Sequence, residues 1–245
     1  MSSIKAEGLA IEFPLYHHGA RSLKKRLLSG VNSRVKTDAA NRVVVSALRG
    51  LNFEIRSGER VALVGHNGAG KSTLLRTIAG IYEPAAGRLE VEGTLGTLID
   101  PSAGMDGEST GRENIRLRAL YRGMSDAQID RLEESVTAFS GLAEFIDVPI
   151  KSYSAGMQIR LAFALATAMQ PEILLMDEWF SAGDAEFMQR AENRLAELVR
   201  GAEILVIATH DMPTARQWCT RAIRLEAGRI VADGPVEEVL GPAAA

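Results

Sequence analysis

The chain of 245 residues contains a single cysteine, Cys219. No internal disulfide and no cysteine-based zinc site can form, and a reducing compartment, the cytosol by default, is the expectation. A positive surplus is also missing, since 28 Lys and Arg stand against 31 Asp and Glu for a formal net charge of −3. A global field for nucleic acid is therefore excluded, and any anion must be met by a local patch. Long apolar runs are absent too. The most apolar stretches, Leu161–Met169 and Ile173–Met176, are broken by Thr167 and by Gln170-Pro171-Glu172, well short of the ~20 residues that cross a bilayer. Met1–Ala10 carries Lys5 and Glu7 in place of the apolar core of an export signal. With 46% hydrophobic and 24% charged residues, the chain suits a globular domain with a large interior, or a core with a sub-lobe.

Leu51–Ile55 alternates apolar and polar residues, Ser57-Gly58 turns the chain, and Val61–Val64 is continuously apolar, so two strands are expected there. The second runs into a Gly-rich loop and then into Lys71–Ala79, whose Leu74, Leu75 and Ile78 recur at helical spacing before Gly80. A helical pattern fills about Thr110 to Gln170, punctuated by Gly123, Gly141 and Pro149, and Ile173–Met176 and Ile204–Ala208 read as short buried strands. Strands alternating with helices predict a largely parallel α/β sheet with an inserted helical lobe at roughly 103–168. One stretch departs in composition. Between His17 and Arg42 lie seven basic residues (Arg21, Lys24, Lys25, Arg26, Arg34, Lys36, Arg42) and one acid, Asp38, with Leu23, Leu27 and Leu28 on one helical face. This insertion, roughly 17–42, is either a solvated surface segment or a basic amphipathic helix near anionic headgroups.

Gly65-His66-Asn67-Gly68-Ala69-Gly70-Lys71-Ser72 matches G-x-x-x-x-G-K-[ST] between a buried strand and a helix. The glycines let backbone N–H groups turn inward and the helix start adds partial positive charge, which together nest the α- and β-phosphates of a nucleotide. Lys71 reaches the β- and γ-phosphates, Ser72 offers its hydroxyl to Mg²⁺, and Thr73 completes the set. A turn that only caps a helix would not need Lys then Ser at those places. Downstream, the apolar strand Ile173–Met176 ends in Asp177-Glu178. Adjacent carboxylates there are costly unless a cation or a reactive water stands in front of them. Asp177 suits Mg²⁺, and Glu178 is placed to polarise water against a γ-phosphate.

Tyr153-Ser154-Ala155-Gly156-Met157 opens an apolar helix, and Ser154 precedes Asp177 by 23 residues. In that position it resembles the signature motif Leu-Ser-Gly-Gly-Gln of the ATP-binding-cassette (ABC) family, keeping the serine and the second glycine. Ser181-Ala182-Gly183-Asp184 falls where that family's D-loop lies, with Asp184 retained and Gly183 in place of the usual leucine. Leu205–Asp211 looks like its switch strand and loop, with His210 near the γ-phosphate, and Ile223–Gly234 looks like its closing hairpin. The resemblance extends over nearly the whole chain. It implies an α/β P-loop NTPase with a RecA-like core, an antiparallel β subdomain and an inserted helical subdomain, forming a single nucleotide-binding domain over 1–245. It also implies that Ser154, Gly156 and Asp184 contact nucleotide, and that an aromatic ring, Phe13 or else Tyr16, stacks on adenine. The family's Q-loop glutamine has no counterpart, since no glutamine occurs from Val91 to Asn114. Asp100 is the nearest residue that could take over its Mg²⁺ and coupling role.

The variant motifs, together with Thr110-Gly111-Arg112-Glu113-Asn114-Ile115, resemble the polysaccharide-export subgroup that handles O-antigen, capsule and teichoic acid. The basic insertion fits that subgroup, with Tyr16, His17 and His18 expected to face the membrane entrance for a lipid-linked glycan. The sequence stops at Gly241–Ala245, and the expectation is either a short member or a truncated one from which a C-terminal glycan-binding domain has been removed. With one phosphate loop and one signature per chain, the resemblance implies an ATP-dependent head-to-tail homodimer at the cytoplasmic face of the bacterial inner membrane. It would dock on an integral-membrane permease through the cleft around Asp100–Glu113. The alternatives are another exporter ATPase, for lipid or drug, or a soluble non-transport ABC ATPase. The second normally fuses two cassettes or inserts long coiled coils, and neither is present.

Overall fold

The computed structural model describes residues 1–14, 35–37, 43–178 and 185–241. In chain order, the strands are β1 (Ser3–Pro14), β2 (Val35–Thr37), β3 (Val43–Arg56), β4 (Arg60–Val64), β5 (Ala86–Glu92), β6 (Leu95–Leu98), β7 (Ile173–Asp177), β8 (Ile204–Ala208), β9 (Arg221–Glu226) and β10 (Arg229–Pro235). The helices are α1 (Lys71–Ile78), α2 (Gly111–Tyr121), α3 (Asp126–Ser140), α4 (Ala155–Ala166), α5 (Ala185–Gly201), α6 (Met212–Trp218) and α7 (Val236–Leu240). They divide into two units, one made of Met1–Thr94, Leu175–Glu178 and Glu203–Ala245, the other of Leu95–Leu174 and Trp179–Ala202.

In the first unit an antiparallel sheet has the order β2-β3-β1-β5. Along β3 the buried positions run Val44, Ser46, Leu48 and then Leu51, Phe53, Ile55. Side chains alternate with a period of two, so this change of phase at Arg49-Gly50 requires a slip in pairing. The register of β1 on β3 does shift there, from Leu9 opposite Leu51 to Ile11 opposite Leu48. The slip lets one continuous pair of strands bury both halves, and it brings Phe13 opposite Val45 at the far end. Strand β2 was not anticipated within the basic insertion; it pairs with β3 through Val35–Thr37. The amphipathic helix considered around Leu23–Leu28, and Tyr16, His17 and His18, lie outside the described residues.

The second sheet of this unit is built on β4, which pairs in parallel with β8 on one side and β9 on the other. Strand β7 follows β8, and β10 closes the other edge antiparallel to β9. Val61–Val64 and Ile204–Ala208 are buried along their whole length, as a parallel sheet covered on both faces requires. Their continuous apolar runs are the reason these segments read as strands without alternation. The carboxyl ends of β4, β7 and β8 carry the phosphate loop, Asp177-Glu178 and Thr209-His210 respectively. Ligands bind outside the carboxyl ends of parallel strands.

The second unit is mainly helical. Ile115, Ile129, Val136, Ile146 and Leu161 from α2, α3, α4 and the intervening loop form its core. Helix α2 starts at a reciprocal cap, in which Thr110 Oγ1 accepts the Glu113 N–H and the Glu113 carboxylate accepts the Thr110 N–H at 2.7 Å. Helix α3 ends on Gly141 in the left-handed conformation. Phe139, Phe163 and Phe187 stack and abut edge-on with centroids 5.7–6.1 Å apart, tying α5 to α3 and α4. The helical stretch expected over roughly 103–168 lies within this unit, which extends past it at both ends. No helix among the described residues is long and apolar enough to cross a membrane.

Candidate active site

The phosphate loop closes around its own lysine. Lys71, the first residue of α1, is buried, and its Nζ donates to the carbonyls of Gly65 at 2.7 Å and His66 at 3.3 Å. The ammonium is thereby held over the loop, with the loop's exposed turn, His66–Gly68, wrapped about it. Gly70 precedes the helix at φ 116°, and no side chain caps α1. The positive end of the helix therefore faces whatever lies in front of the loop.

A cavity of about 460 Å³ lies in front of the loop, lined by Asn67, Gly68, Gly70, Lys71, Ser72 and Thr73, and by Asp177 and Glu178 from the end of β7. Phe13, Val45 and Ala47 line it as well. Its lining combines the phosphate loop with three apolar residues, Phe13, Val45 and Ala47, a combination that suits a nucleoside triphosphate. Asp177 is half-buried and makes no ion pair with a described residue. The Asp177 carboxylate and the Ser72 hydroxyl, both lining the cavity, fit Mg²⁺, which takes one or two protein oxygens and completes its shell with phosphate oxygens and water.

Glu178 stands just past β7 with φ 69°, one of two non-glycine residues in the left-handed region among the described residues. That conformation is unfavourable for a glutamate, and it is fixed by the Glu178 N–H donating to Ala208 O at 2.7 Å. The same neighbouring strand delivers His210, whose Nδ1 lies 2.6 Å from Glu178 Oε1. Both side chains are exposed. Thr209 steadies the turn: its N–H donates to Leu63 O at 3.1 Å and its Oγ1 accepts the Asp211 N–H at 3.0 Å. Asp211 then caps α6 by accepting the Thr214 N–H and hydroxyl, which hold its carboxyl below the usual aspartate range. Backbone contacts thus aim a carboxylate and an imidazole at one point beside the phosphate loop.

The turn between β9 and β10 supports the loop from outside the cavity. The Gly228 N–H donates to Ala69 O at 2.9 Å, and Gly228 O accepts the Arg49 N–H at 2.8 Å. Gly228 sits at φ 76°, and a Cβ there would lie 2.2 Å from Ala47 O. Only glycine fits this junction of β3, the phosphate loop and the closing hairpin.

Of the residues expected from the sequence, Phe13, Asn67, Gly68, Gly70, Lys71, Ser72, Thr73, Asp177 and Glu178 meet at this cavity. Gly65, His66 and Ala69 form the loop behind it, and His210 joins through Glu178. Ser154 and Gly156 lie in the second unit at the exposed start of α4, where Ser154 Oγ accepts the Met157 N–H at 3.2 Å. Tyr153 anchors that start. Its buried ring donates its hydroxyl to Phe145 O at 2.7 Å, and burial raises its pKa. Asp100 is also in the second unit, with Oδ1 accepting the Ser102 N–H at 3.1 Å and hydroxyl at 2.7 Å. Asp184 lies outside the described residues. Val45 and Ala47 escaped the sequence reading, although the β1–β3 pairing that sets Val45 opposite Phe13 could have suggested them.

Fold and site together define a phosphate-loop nucleoside triphosphatase. Residues 48–181 match the profile of the ABC transporter family, and the chain belongs to that family. It is 41% identical over 94% of its length to the O-antigen export system ATP-binding protein RfbE of Yersinia enterocolitica, covering 97% of that protein. It is 36% identical over 89% of its length to RfbB, of the same description, from Myxococcus xanthus, and 39% identical over 97% to the teichoic acids export ATP-binding protein TagH of Lactococcus lactis. It spans about half of each of these two, 52% and 49%. Among solved structures, an ATP binding subunit of an ABC transporter shares the fold with a TM-score of 0.70 at 24% identity, covering 96% of this chain and 91% of that one. The ATP-binding cassette MJ0796, dimeric and bound to ADP and Pi, does so with a TM-score of 0.69 at 20% identity, covering 95% and 98%.

Proposed function

We propose that this chain is the ATP-hydrolysing subunit of an ABC exporter that drives a lipid-linked polysaccharide, of O-antigen, capsule or teichoic acid type, across the cytoplasmic membrane. The hydrolytic half rests on the pairing of Glu178 with His210 beside the phosphate loop. The choice of cargo rests on the match to RfbE over nearly the whole of both chains.

ATP binds with its phosphates against the loop N–H groups and Lys71, and its base on Phe13. Mg²⁺, held by Ser72 and Asp177 with Asp100 as a further candidate, would offset phosphate charge. An ionised Glu178 accepts a proton from water as the water oxygen bonds to the γ-phosphorus and the bond to the bridging oxygen of ADP breaks. His210, donating through Nδ1, fixes the carboxylate that takes the proton. Ser154 and Gly156 of a second copy close on the γ-phosphate, with Asp184 at the same junction, so the working form is a head-to-tail homodimer. The dimer works peripherally at the cytoplasmic face, docked on a membrane permease through the region around Asp100–Glu113.

The Glu178→Gln variant tests this reading. Hydrolysis is expected to fall by about 10²- to 10⁴-fold, and light scattering is expected to find a dimer only with Mg-ATP. A variant that still turns over ATP at the wild-type rate overturns the catalytic assignment. Deletion of the gene is expected to accumulate a lipid-linked glycan inside the cell; accumulation of an unrelated lipid or drug would reassign the cargo.

A further inference from the structure

Phe13 lines the nucleotide cavity from the end of β1, where the strand's pairing partner is Val45. Its backbone is therefore fixed on one side by β3. The backbone does not fix the ring, which turns about two side-chain bonds. The ring instead meets Tyr82, in the turn after α1, with centroids 5.0 Å apart and planes at 77°. This edge-to-face arrangement is the favourable one for two quadrupoles. Tyr82 is half-buried and does not itself line the cavity. It is held in turn by α1, since Arg76 Nη1 approaches the Tyr82 hydroxyl at 3.5 Å. Lys71, Ser72 and Arg76 stand on the same short helix. A continuous path of contacts thus runs from the helix that carries Lys71 and Ser72, through Arg76 and Tyr82, to the Phe13 ring in the cavity lining.

We infer that Tyr82 is a positioning residue for the nucleotide base: it fixes the plane of Phe13 so that the ring is ready to stack before ATP arrives. The inference deepens the reading of Phe13 as the base platform and rests on it. A stacking surface that need not be ordered on binding costs less conformational entropy. Loss of Tyr82 therefore weakens ligands that carry a base and leaves untouched those that carry only phosphates.

The test compares Mg-ATP with inorganic tripolyphosphate by calorimetry on the whole chain, for Phe13→Ala, Tyr82→Ala, Tyr82→Leu, Tyr82→Phe and the double variant Phe13→Ala/Tyr82→Ala. Tyr82→Ala and Tyr82→Leu are expected to weaken ATP by about two- to tenfold, the range of one aromatic pair, with tripolyphosphate unchanged. Tyr82→Phe keeps the ring edge and loses only the long contact from Arg76, so it is expected to restore most of the ATP affinity. In the Phe13→Ala background, Tyr82→Ala is expected to add nothing. Tyr82→Leu preserves apolar volume, so it carries the measurement if the alanine variant does not fold. Equal losses for ATP and tripolyphosphate, or additive losses in the double variant, overturn the positioning role. Wild-type ATP affinity in both Tyr82→Ala and Tyr82→Leu does the same, even when Phe13→Ala weakens ATP. If Phe13→Ala itself leaves ATP affinity unchanged, the base-platform reading fails, a result distinct from failure of Tyr82 alone.

Discussion

Two helices in this chain begin on small-residue turns expected to meet phosphate, and they begin differently. Helix α1 starts after Gly70 with no side chain on its first N–H groups and a buried lysine tied to the loop carbonyls. Helix α4 starts after Ser154, whose own hydroxyl oxygen accepts the Met157 N–H. The first is built to have its donors met by a ligand. The second is satisfied within its own chain and keeps a hydroxyl proton and the Gly156 N–H at an exposed surface. The open N–H groups of α1 face the cavity lined by its own chain, while the capped start of α4 presents its groups at an exposed surface.

The sharpest break of this contrast is Lys71→Ala, expected to weaken ATP binding to the single chain by about 10- to 100-fold, the worth of a charge-assisted hydrogen bond. Ser154→Ala is expected to leave that same affinity unchanged. Titration calorimetry on both variants checks the pair, and equal losses would erase the distinction. Gly228→Ala comes next, because its Cβ would press on Ala47 O and its φ is positive. A destabilisation of about 2 kcal/mol is expected, and ATP affinity should fall with it because Ala69 loses its support. A lower Tm with unchanged affinity would confine the turn to a structural role. Ser154→Ala should cost about 1 kcal/mol as a lost cap, a Tm lower by about 2–4 °C, together with loss of ATP-driven dimerisation.

The smallest effect distinguishes caps by pH. Asp211 caps α6 as an ionised carboxylate held below its ordinary range, so the unfolded chain takes up its proton first as pH falls. Its stabilisation is complete above the ordinary aspartate pKa, about 3.9, and is lost as pH drops through the lower folded value. Asp211→Ser supplies a cap that does not titrate there. Melting curves across this acid range should fall less steeply for Asp211→Ser than for the wild type, and parallel curves would remove the carboxylate from the account.

What the sequence disclosed follows the range of each interaction. Gly65–Ser72, Asp177-Glu178 and the paired strands before and after them are local patterns with local causes, and each stands at the predicted end of a predicted element. That the core sheet is parallel follows from continuous apolar runs separated by helices, but its order, with β4 between β8 and β9, is set by crossovers that no local pattern records. Tyr82 against Phe13, Gly228 against Ala69, and Arg49 against Gly228 join residues far apart in sequence through single contacts with no period and no motif. The phase change at Arg49-Gly50 was not visible, because Val43, Val44, Val45, Ala47 and Leu48 are apolar in both phases and only burial separates them. Nor was the left-handed backbone of Glu178, because nothing about a glutamate announces a conformation imposed by a neighbouring strand.

That backbone carries a consequence for directed evolution. A library selected only for heat resistance should enrich Glu178→Gly and Glu178→Asn, since both relieve a positive φ that glutamate tolerates poorly. Those survivors would be the proteins that no longer burn ATP. Thermal robustness and power output therefore pull in opposite directions at this one residue, and a screen must read turnover directly to keep a working motor.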